Sequence, residues 1–471
     1  MQTKISFSSK SITTRSKKIC AVVLTEEKSS WHRLVEKADG TLEYRFGAGK
    51  WSAITPRAFR TLVRSIVMNA KGHQLDSIAL ELSPEAFKKL TPYGDTWFWR
   101  TLTENLTLAS YEFTHYKSKS PKPTLQEITL YGVVSKTAKT AASEGLIAAE
   151  AVNSARTIAN TTGEDMNPSG LVAAAQKLAQ GTGVKVTVHN KTKIKQLKMG
   201  LLSGVGKGAS DGPYLIVMEY FGSGKAKASS RPTILIGKGV TYDTGGLNLK
   251  PTGGLHEMHM DMSGGAAVIA AITGAARLKL KRDIVAIIPV AENAISDKSM
   301  RAGDILTSMS GLTVEVQNTD AEGRLILADA LTYAERFYKP KLIIDVATLT
   351  GASLVALGQH ASALFTKNDT LREKLMVLSE KSGDLLWPLP LWDEYRQYLK
   401  GSRGDLQNMN GPANRYGGAI EGAAFLSYFA PKGVPWAHIE MAPRMVSIAS
   451  DKLAKGATGE PTRLLLHLLA E

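Results

Sequence analysis

The 471-residue sequence contains one cysteine, Cys20. A single cysteine excludes an intramolecular disulfide, a zinc site built from several cysteines and a Cys-x-x-Cys redox motif. Such low cysteine usage is typical of a reducing compartment, and the expected location is cytoplasmic. The first 18 residues are basic and rich in Ser and Thr, as in a transit peptide. The apolar run that follows is too short for a secretory signal, and we interpret Lys18–Thr25 as a first strand.

Long hydrophobic runs are also missing. A membrane-spanning helix needs about 18 apolar residues in succession, and the longest candidates, Gly264–Ala276 and Ile284–Ala291, are shorter. We predict a buried helix for the first and a buried strand for the second. Because 43% of the residues are hydrophobic and 21% are charged, we expect a folded, globular protein without a membrane partner.

Acidic residues are scarce relative to basic ones. The formal net charge is +15, and residues 1–140 carry +10 of it. An excess of this kind either contacts a polyanion such as DNA or forms a solvated surface. The sequence contains no helix-turn-helix, zinc-finger or RNA-recognition motif, so the solvated surface is favoured and DNA binding is kept as the alternative.

Short apolar segments alternate with helical ones along the chain, which predicts an α/β fold. We predict a small basic N-terminal α/β domain over residues 1–140 and a larger α/β domain over residues 141–471, with a linker helix at about 137–160. Strands of the larger domain such as Ile284–Val290 are continuously apolar, as in strands that are covered on both faces. We therefore expect a mixed, mostly parallel central sheet flanked by helices.

Two glycine-rich segments of the larger domain concentrate charge. Residues 237–261 contain Lys238, Asp243, Lys250 and Asp261, and residues 318–324 contain Asp320, Glu322 and Arg324. Burying four carboxylates with three cations is costly unless the cluster binds ions. Carboxylate ligands favour Zn²⁺, Mn²⁺ or Mg²⁺, and two such ions that share carboxylates can activate a water molecule. The pattern therefore predicts a site for two divalent metal ions.

The elements around these segments support a site at one edge of the sheet. A strand predicted over Thr233–Val240 delivers Asp243 to the carboxyl end of the sheet, where ligands bind in such folds. A helix predicted over Ala321–Tyr338 begins beside Glu322. The charged residues of segment 318–324 would project to one side if its backbone is extended, although by itself this segment is equally well explained as an ordinary acidic helix start.

One apparent motif is rejected. His256 and His259 lie three residues apart, whereas the zinc-peptidase helix places its two histidines four residues apart. We interpret both as loop or surface residues.

Four motifs resemble the leucyl (cytosol) aminopeptidases, a family of dinuclear metallo-aminopeptidases that includes the peptidase A and peptidase B types. The motifs are Val240–Gly246 with Lys250 and Asp261, Asn318–Leu331, Ala347–Gly351 and Pro435–Glu440. The resemblance extends from about residue 155 to the end. It implies an enzyme that releases N-terminal residues from peptides, two divalent ions (Zn²⁺ and/or Mn²⁺) per subunit, and a homohexamer built as a dimer of trimers.

The resemblance also implies residue roles. The metal ligands would be Lys238, Asp243, Asp261, Asp320 and Glu322. Lys250 would stabilise charge on the substrate carbonyl oxygen, and Arg324 would hold a bicarbonate ion that acts as general base. The pocket for the N-terminal side chain would consist of Met258, Thr348, Leu349, Gly351, Ala442 and Met445, and its apolar lining implies a preference for Leu-like or Met-like N-termini.

Departures from the family pattern lie outside this set. Glu440 stands where the family usually has aspartate, and Ala302 stands where it usually has proline. All seven metal and catalytic positions are intact, which disfavours an inactive structural relative.

Overall fold

A computed structural model of the protein describes residues 3–12, 19–28, 31–119, 124–224, 229–411 and 416–471. The chain forms two compact units, residues 1–153 with 447–455 and residues 154–446 with 456–471. Both contain helices and a sheet, which confirms the predicted α/β class. The domain boundary placed at residue 140 stays a prediction. Among the described residues, no helix is both long enough and apolar enough to cross a bilayer.

The smaller unit is built on a mainly parallel sheet. Its strands are β1 (Lys4–Phe7), β2 (Cys20–Thr25), β3 (His32–Glu36), β4 (Leu42–Gly47), β5 (Ser77–Glu81) and β6 (Glu127–Tyr131), and its helices are α1 (Pro56–Gly72), α2 (Gly94–Ser110) and the first part of α3 (Lys136–Asn160). The strand order is β1-β6-β5-β2-β4-β3, with β3 antiparallel to β4. Strand β2 lies within the predicted strand Lys18–Thr25, of which Lys18 is outside the described residues, but the prediction that this is the first strand is wrong, because β1 precedes it. Helix α1 begins where Thr55 accepts a hydrogen bond from Ala58 N.

The larger unit carries the predicted site. Its helices are the end of α3, α4 (Pro168–Ala179), α5 (Lys191–Gln196), α6 (Gly200–Gly206), α7 (Ser263–Arg277), α8 (Gly323–Phe337), α9 (Ala352–Leu357), α10 (Asp369–Ser382), α11 (Asp393–Gln397), α12 (Gly418–Leu426) and α13 (Thr462–Ala470). Its strands are β7 (Lys185–His189), β8 (Tyr214–Phe221), β9 (Thr233–Gly237), β10 (Gly239–Asp243), β11 (Asp283–Asn293), β12 (Ile305–Thr307), β13 (Thr313–Glu315), β14 (Leu342–Ala347), β15 (Ser362–Phe365), β16 (Leu386–Pro388), β17 (Leu406–Gln407) and β18 (Trp436–Glu440).

The main sheet of the larger unit has the order β16-β15-β18-β14-β9-β11-β8-β7, and β10 pairs with β11. The central strands β18, β14, β9 and β11 are parallel, whereas β8 runs antiparallel to β11. Strand β9 is buried throughout, and β14 and β11 nearly so, which confirms the expected covering of both faces. The carboxyl ends of the parallel strands meet at one edge, where Asp243, Asn293 and Glu440 end their strands.

The strand predicted over Thr233–Val240 is interrupted at Lys238. Lys238 N donates to Val346 O of β14 at 3.0 Å, and Lys238 O accepts from Gly265 N at 2.8 Å. After this residue, β10 pairs with β11 alone. A Cβ on Gly237 would lie 2.6 Å from Gly264 O, so glycine is needed for helix α7 to start this close to the sheet.

The backbone of segment 318–324 is not extended, so the condition under which its charged side chains would project to one side is not met. Asn318 Oδ1 accepts from Asp320 N at 2.8 Å, and Asn318 O accepts from Ala321 N at 3.2 Å. This Asx-type turn directs the chain into helix α8. The helix begins at Gly323 rather than Ala321, with Glu322 as its N-cap.

Candidate metal centre

Lys238 lies at the buried end of the site. Its Nζ is 2.7 Å from Asp261 Oδ2 and 2.8 Å from Glu322 Oε1, and it donates a hydrogen bond to Thr348 O at 2.7 Å. The side chain is 2% exposed. The interruption between β9 and β10 therefore brings an amine against two carboxylates that come from distant parts of the sequence.

A second cluster lies nearer to the surface. Lys250 Nζ is 2.8 Å from Asp243 Oδ2 and also contacts Asp320 Oδ1. Asp243 is 3% exposed, whereas the Asp320 side chain is 34% exposed. Each of the two lysines thus has two carboxylate partners. The two clusters together contain all of the seven predicted charged residues except Arg324.

Three of the carboxylates converge closely enough to hold an ion. One oxygen from each of Asp243, Asp320 and Glu322 lies within 4.8 Å of the other two. In addition, Asp261 Oδ2 and Glu322 Oε1 are buried and accept no hydrogen bond within the described residues. Both face Lys238 Nζ at salt-bridge distance but outside hydrogen-bond geometry. Buried carboxylate oxygens left in this way suit divalent cations, so the residues present fit the metals that the sequence predicts.

Burial and mutual repulsion raise the pKa values of three of the four carboxylates, whereas the neighbouring lysines lower the pKa of the fourth. Burial, followed by repulsion from Asp243, raises the pKa of Asp320 to about 7. Burial also raises the pKa values of Asp261 and Glu322. For Asp243, burial acts upward, but Lys250 and Lys238 together lower its pKa. Perturbed carboxylates grouped in one place are typical of functional sites.

The two charged segments, residues 237–261 and 318–324, are connected by amide and hydroxyl side chains. Asn293 Nδ2 donates to Asp243 Oδ1 at 2.8 Å and to Thr319 O at 3.1 Å. Asn248 Oδ1 accepts from Thr319 N at 2.8 Å, and Thr319 Oγ1 donates to Gly245 O at 2.6 Å. These bonds hold the loop after β10 against the turn that carries Asp320.

Arg324 is buried beside this turn. Its Nη1 donates to Asn408 O at 2.7 Å, whereas its Nε is buried without a hydrogen bond in the described part of the chain. Asn408 also accepts from Gln317 N at 2.7 Å and donates to Asn318 O at 2.7 Å. Asn408 therefore fixes both the turn and the guanidinium group.

The predicted pocket residues lie on three short segments next to the charged clusters. Met258 is in a single 3-10 turn before Asp261, Thr348, Leu349 and Gly351 follow β14, and Ala442 and Met445 follow β18. Thr348 Oγ1 donates to Asp261 Oδ1 at 2.7 Å. A cavity of about 790 Å³ is lined by Asp320, Arg324 and residues of α9 and α12. Its lining includes Gly351 but none of the other five predicted pocket residues.

Sequence reasoning missed the residues that support the site. Asn293 and Asn408 lie outside the four motifs, Thr319 lies within the motif Asn318–Leu331 but was given no role, and asparagine and threonine are common in loops. Only the position of Asn293 at the end of a long apolar strand offered a local signal. Within the described residues, the group of three converging carboxylates does not include His256 or His259.

Comparisons with known proteins show the family of this chain. Residues 153–466 match the model described as "Cytosol aminopeptidase family, catalytic domain", and residues 46–120 match its N-terminal domain. A "Probable cytosol aminopeptidase" of Burkholderia thailandensis is 40% identical over 429 residues, which cover 90% of this chain and 82% of that protein. A relative of the same description from Burkholderia mallei is 43% identical over 366 residues, covering 77% of this chain and 71% of that protein.

A solved structure resembles the whole chain. The structure of "Bottromycin maturation enzyme BotP in complex with Mn" is 30% identical and covers 97% of this chain and 99% of its own, with a TM-score of 0.85. That protein binds manganese. The likeness includes both units of the present chain, since only 3% of the chain falls outside it.

Proposed function

Because this chain belongs to the cytosol aminopeptidase family, and is therefore a metal-dependent aminopeptidase that acts on peptides, we propose that it releases Leu-like or Met-like N-terminal residues with water activated by two divalent cations. The observation that carries the proposal is the convergence of Asp243, Asp320 and Glu322 beside Lys238, whose buried amine contacts Glu322 and one further carboxylate, that of Asp261. A metal site with a single carboxylate ligand, or a cluster with a purely structural role, does not need this number of buried charges.

The proposed ligands divide into two sets. Lys238, Asp243, Asp261 and Glu322 would hold one ion, and Asp243, Asp320 and Glu322 would hold the other, with the Asp320 carbonyl as an additional donor. Oxygen ligands with one amine suit Zn²⁺ or Mn²⁺. When bound, two such cations lower the pKa of a shared water and polarise the first peptide carbonyl.

The chain's own residues orient and stabilise the reacting groups. Lys250, held by Asp243 and Asp320, presents a fixed positive charge for the oxygen on which negative charge develops. Asp261 would accept the free α-amine of the substrate, which explains a requirement for an unblocked N-terminus. Leu349 would offer its backbone carbonyl to the same end of the peptide.

Arg324 is proposed to hold a bicarbonate ion that acts as general base. Its buried Nε without a hydrogen bond among the described residues and its Nη1 bond to Asn408 O leave one edge of the guanidinium free for an anion. A guanidinium binds a planar oxyanion with two parallel hydrogen bonds.

The pocket proposed for the N-terminal side chain consists of Met258, Thr348, Leu349, Gly351, Ala442 and Met445. Its methionine, leucine and alanine side chains favour an unbranched or γ-branched apolar group, because burying apolar area is favourable and a charged group would lose its hydration.

We further propose a homohexamer that works in the cytoplasm. The free, buried Cys20 is compatible with a reducing compartment.

The deciding experiment compares a leucine anilide with its N-acetylated form. We expect the purified protein to cleave only the free amine, to lose activity on chelation and to regain it with Zn²⁺ or Mn²⁺. Cleavage of the acetylated substrate, or full activity after exhaustive chelation, would contradict the proposal. Cleavage of arginine and glutamate anilides at the same rate as the leucine anilide would refute the proposed pocket.

A further inference from the structure

Glu440 is a buried residue whose carboxylate, in the part of the chain that the structure describes, bonds to the two loops that follow β14 and β18. It ends strand β18 and is 0% exposed, and within the described residues it forms no ion pair. Its carboxylate accepts from Leu349 N at 3.0 and 3.2 Å, from Thr350 N at 2.9 Å and from Ala442 N at 3.0 Å. The Thr350 hydroxyl adds a fourth donor at 3.2 Å. A buried charge held in this way is costly to keep, and backbone donors are its compensation.

The donors come from two separate segments. Residues 348–351 follow β14 and residues 442–445 follow β18, and the ladder between these strands ends with the pair Ala347 and Glu440. Glu440 Oε1 accepts from both Leu349 N and Ala442 N. The side chain therefore joins the two segments beyond the point where the ladder stops.

The first segment is also attached to the proposed metal ligands. Thr348 O accepts from Lys238 Nζ at 2.7 Å, and Thr348 Oγ1 donates to Asp261 Oδ1 at 2.7 Å. Residues 348–350 are thus fixed to the charged cluster at one end and to Glu440 at the other. Glu440 accepts hydrogen bonds from Leu349, Thr350 and Ala442 and, among the described residues, from none of the proposed metal ligands.

We propose that Glu440 is a positioning residue that sets the separation of the two pocket walls and thereby the choice of N-terminal side chain. This inference rests on the proposed function, because the walls are the two segments that carry Thr348, Leu349, Gly351, Ala442 and Met445. The length of the side chain matters as well as its charge. An aspartate, which the family usually has at this position, is one methylene shorter and would change how closely the two segments are held.

The test measures selectivity, because a ratio of kcat/KM values does not depend on the fraction of active protein. Full-length, metal-loaded wild type, E440Q and E440D are assayed with leucine, methionine, phenylalanine and alanine anilides. We expect the leucine-to-phenylalanine or leucine-to-alanine ratio to shift by about tenfold in E440Q and E440D, the size of effect that a small change in an apolar pocket produces. Amide hydrogen exchange at residues 349, 350 and 442 is expected to accelerate in E440Q.

Asp329→Asn is the matched control. Asp329 is also 0% exposed and accepts backbone hydrogen bonds from Leu201 N, Leu202 N and Met309 N at 3.0, 3.0 and 2.8 Å. The substitution makes the same chemical change, away from the pocket. It is expected to lower the melting temperature and to leave the substrate ratios within about twofold of wild type.

Each outcome decides the proposal. Unchanged ratios in a folded E440Q or E440D variant, or equal losses on all substrates in step with lost stability, would reduce Glu440 to a structural residue. Unchanged amide exchange in E440Q would do the same. If E440Q does not fold, E440D decides by the same ratios. A wild type that cleaves none of the free-amine anilides would instead refute the proposed function, and the present inference with it.

Discussion

Lys238 and Lys250 each contact two carboxylates, so the charged cluster has redundant ion pairs at the level of single residues. Removing one carboxylate leaves each lysine with a partner. Removing one of these acids should therefore change the free energy of unfolding little. The same substitution should strongly reduce the proposed activity. Variants of the cluster can for this reason separate activity from stability.

Asp320→Ala is expected to reduce leucine anilide hydrolysis by at least about a hundredfold, because it removes a proposed ligand of the second ion. The free energy of unfolding should change by less than about 1 kcal/mol, since the side chain is one third exposed and Lys250 keeps its contact with Asp243. Steady-state kinetics and thermal melts measure the two effects. Asp297→Ala, an exposed acid in the same unit, is the control and should match wild type. Full activity in Asp320→Ala would refute the metal assignment.

At the scale of elements, the site depends on how closely the start of helix α8 lies to Lys238, the residue that separates strands β9 and β10. A Cβ on Gly323, the first residue of α8, would lie 2.6 Å from Lys238 Cε and 2.7 Å from Leu349 Cδ2. Contacts this short force a neighbour to move. Glycine at this position therefore allows the helix start to meet the buried lysine.

The substitution Gly323→Ala tests whether this close contact between helix α8 and Lys238 is needed. Alanine favours a helix over glycine by about 1 kcal/mol, yet we expect activity to fall at least about tenfold and bound metal to decrease, because Lys238 is displaced. Metal analysis and hydrolysis rates give the readout. Gly72→Ala, at the end of helix α1 with nothing within 4 Å of the added Cβ, should leave both values unchanged. Wild-type metal content and activity in Gly323→Ala would contradict the proposed role of the close contact between helix α8 and Lys238.

Neighbouring strands β14 and β18 carry an internal acid–base pair. Asp345 and His438 are directly opposite in the parallel ladder, both are 0% exposed, and His438 Nδ1 contacts Asp345 Oδ1. Burial alone would lower the pKa of His438, but the Asp345 carboxylate outweighs burial and raises it. Trp436 Nε1 donates to the other oxygen of Asp345 at 2.6 Å.

The stability of the protein should therefore depend on pH through this pair. Because the pKa of His438 is higher in the folded than in the unfolded chain, its contribution is complete below the unfolded value of about 6.5 and is lost as the pH rises through the folded value. His438→Gln should lower the free energy of unfolding by about 3 kcal/mol at pH 6 and flatten its decline above pH 6.5. Chemical denaturation across this range measures both. His360→Gln, an exposed histidine, should keep the wild-type profile, and an unchanged profile in His438→Gln would contradict the assignment.

For the whole molecule, the division of the chain agrees with the family models. The catalytic-domain model begins at residue 153, and the larger compact unit begins at Ser154, within helix α3. All the proposed ligands and pocket residues belong to this unit. The smaller unit contains the excess of basic residues. Both interpretations of this excess, a solvated surface and a contact with DNA, agree with the described fold.

The expected homohexamer is the prediction at this scale. Light scattering after size exclusion should report about six times the chain mass of 50.7 kDa. Dilution and added salt serve as controls, because a weak association would shift the mass with concentration. A mass equal to that of the single chain under every condition would refute the assembly.

Local patterns were sufficient for the α/β class and for the charged residues considered as ligands. Continuous apolar runs indicated the buried strands, and acids spaced within glycine-rich loops indicated the two charged segments. These signals are read from neighbours a few residues apart. The family resemblance, which the comparisons confirm, depended on the same short segments.

The tertiary structure decided which distant groups support the site. The interruption at Lys238 depends on hydrogen bonds to β14 and to the start of α7, so a continuous apolar pattern could not predict it. Asn408 and Glu440 bond to segments more than 80 residues away, and no local spacing encodes such partners. The sequence by itself determined which chemistry the chain can hold, whereas packing determined where each group lies, because hydrogen bonds between distant segments exist only in the folded chain.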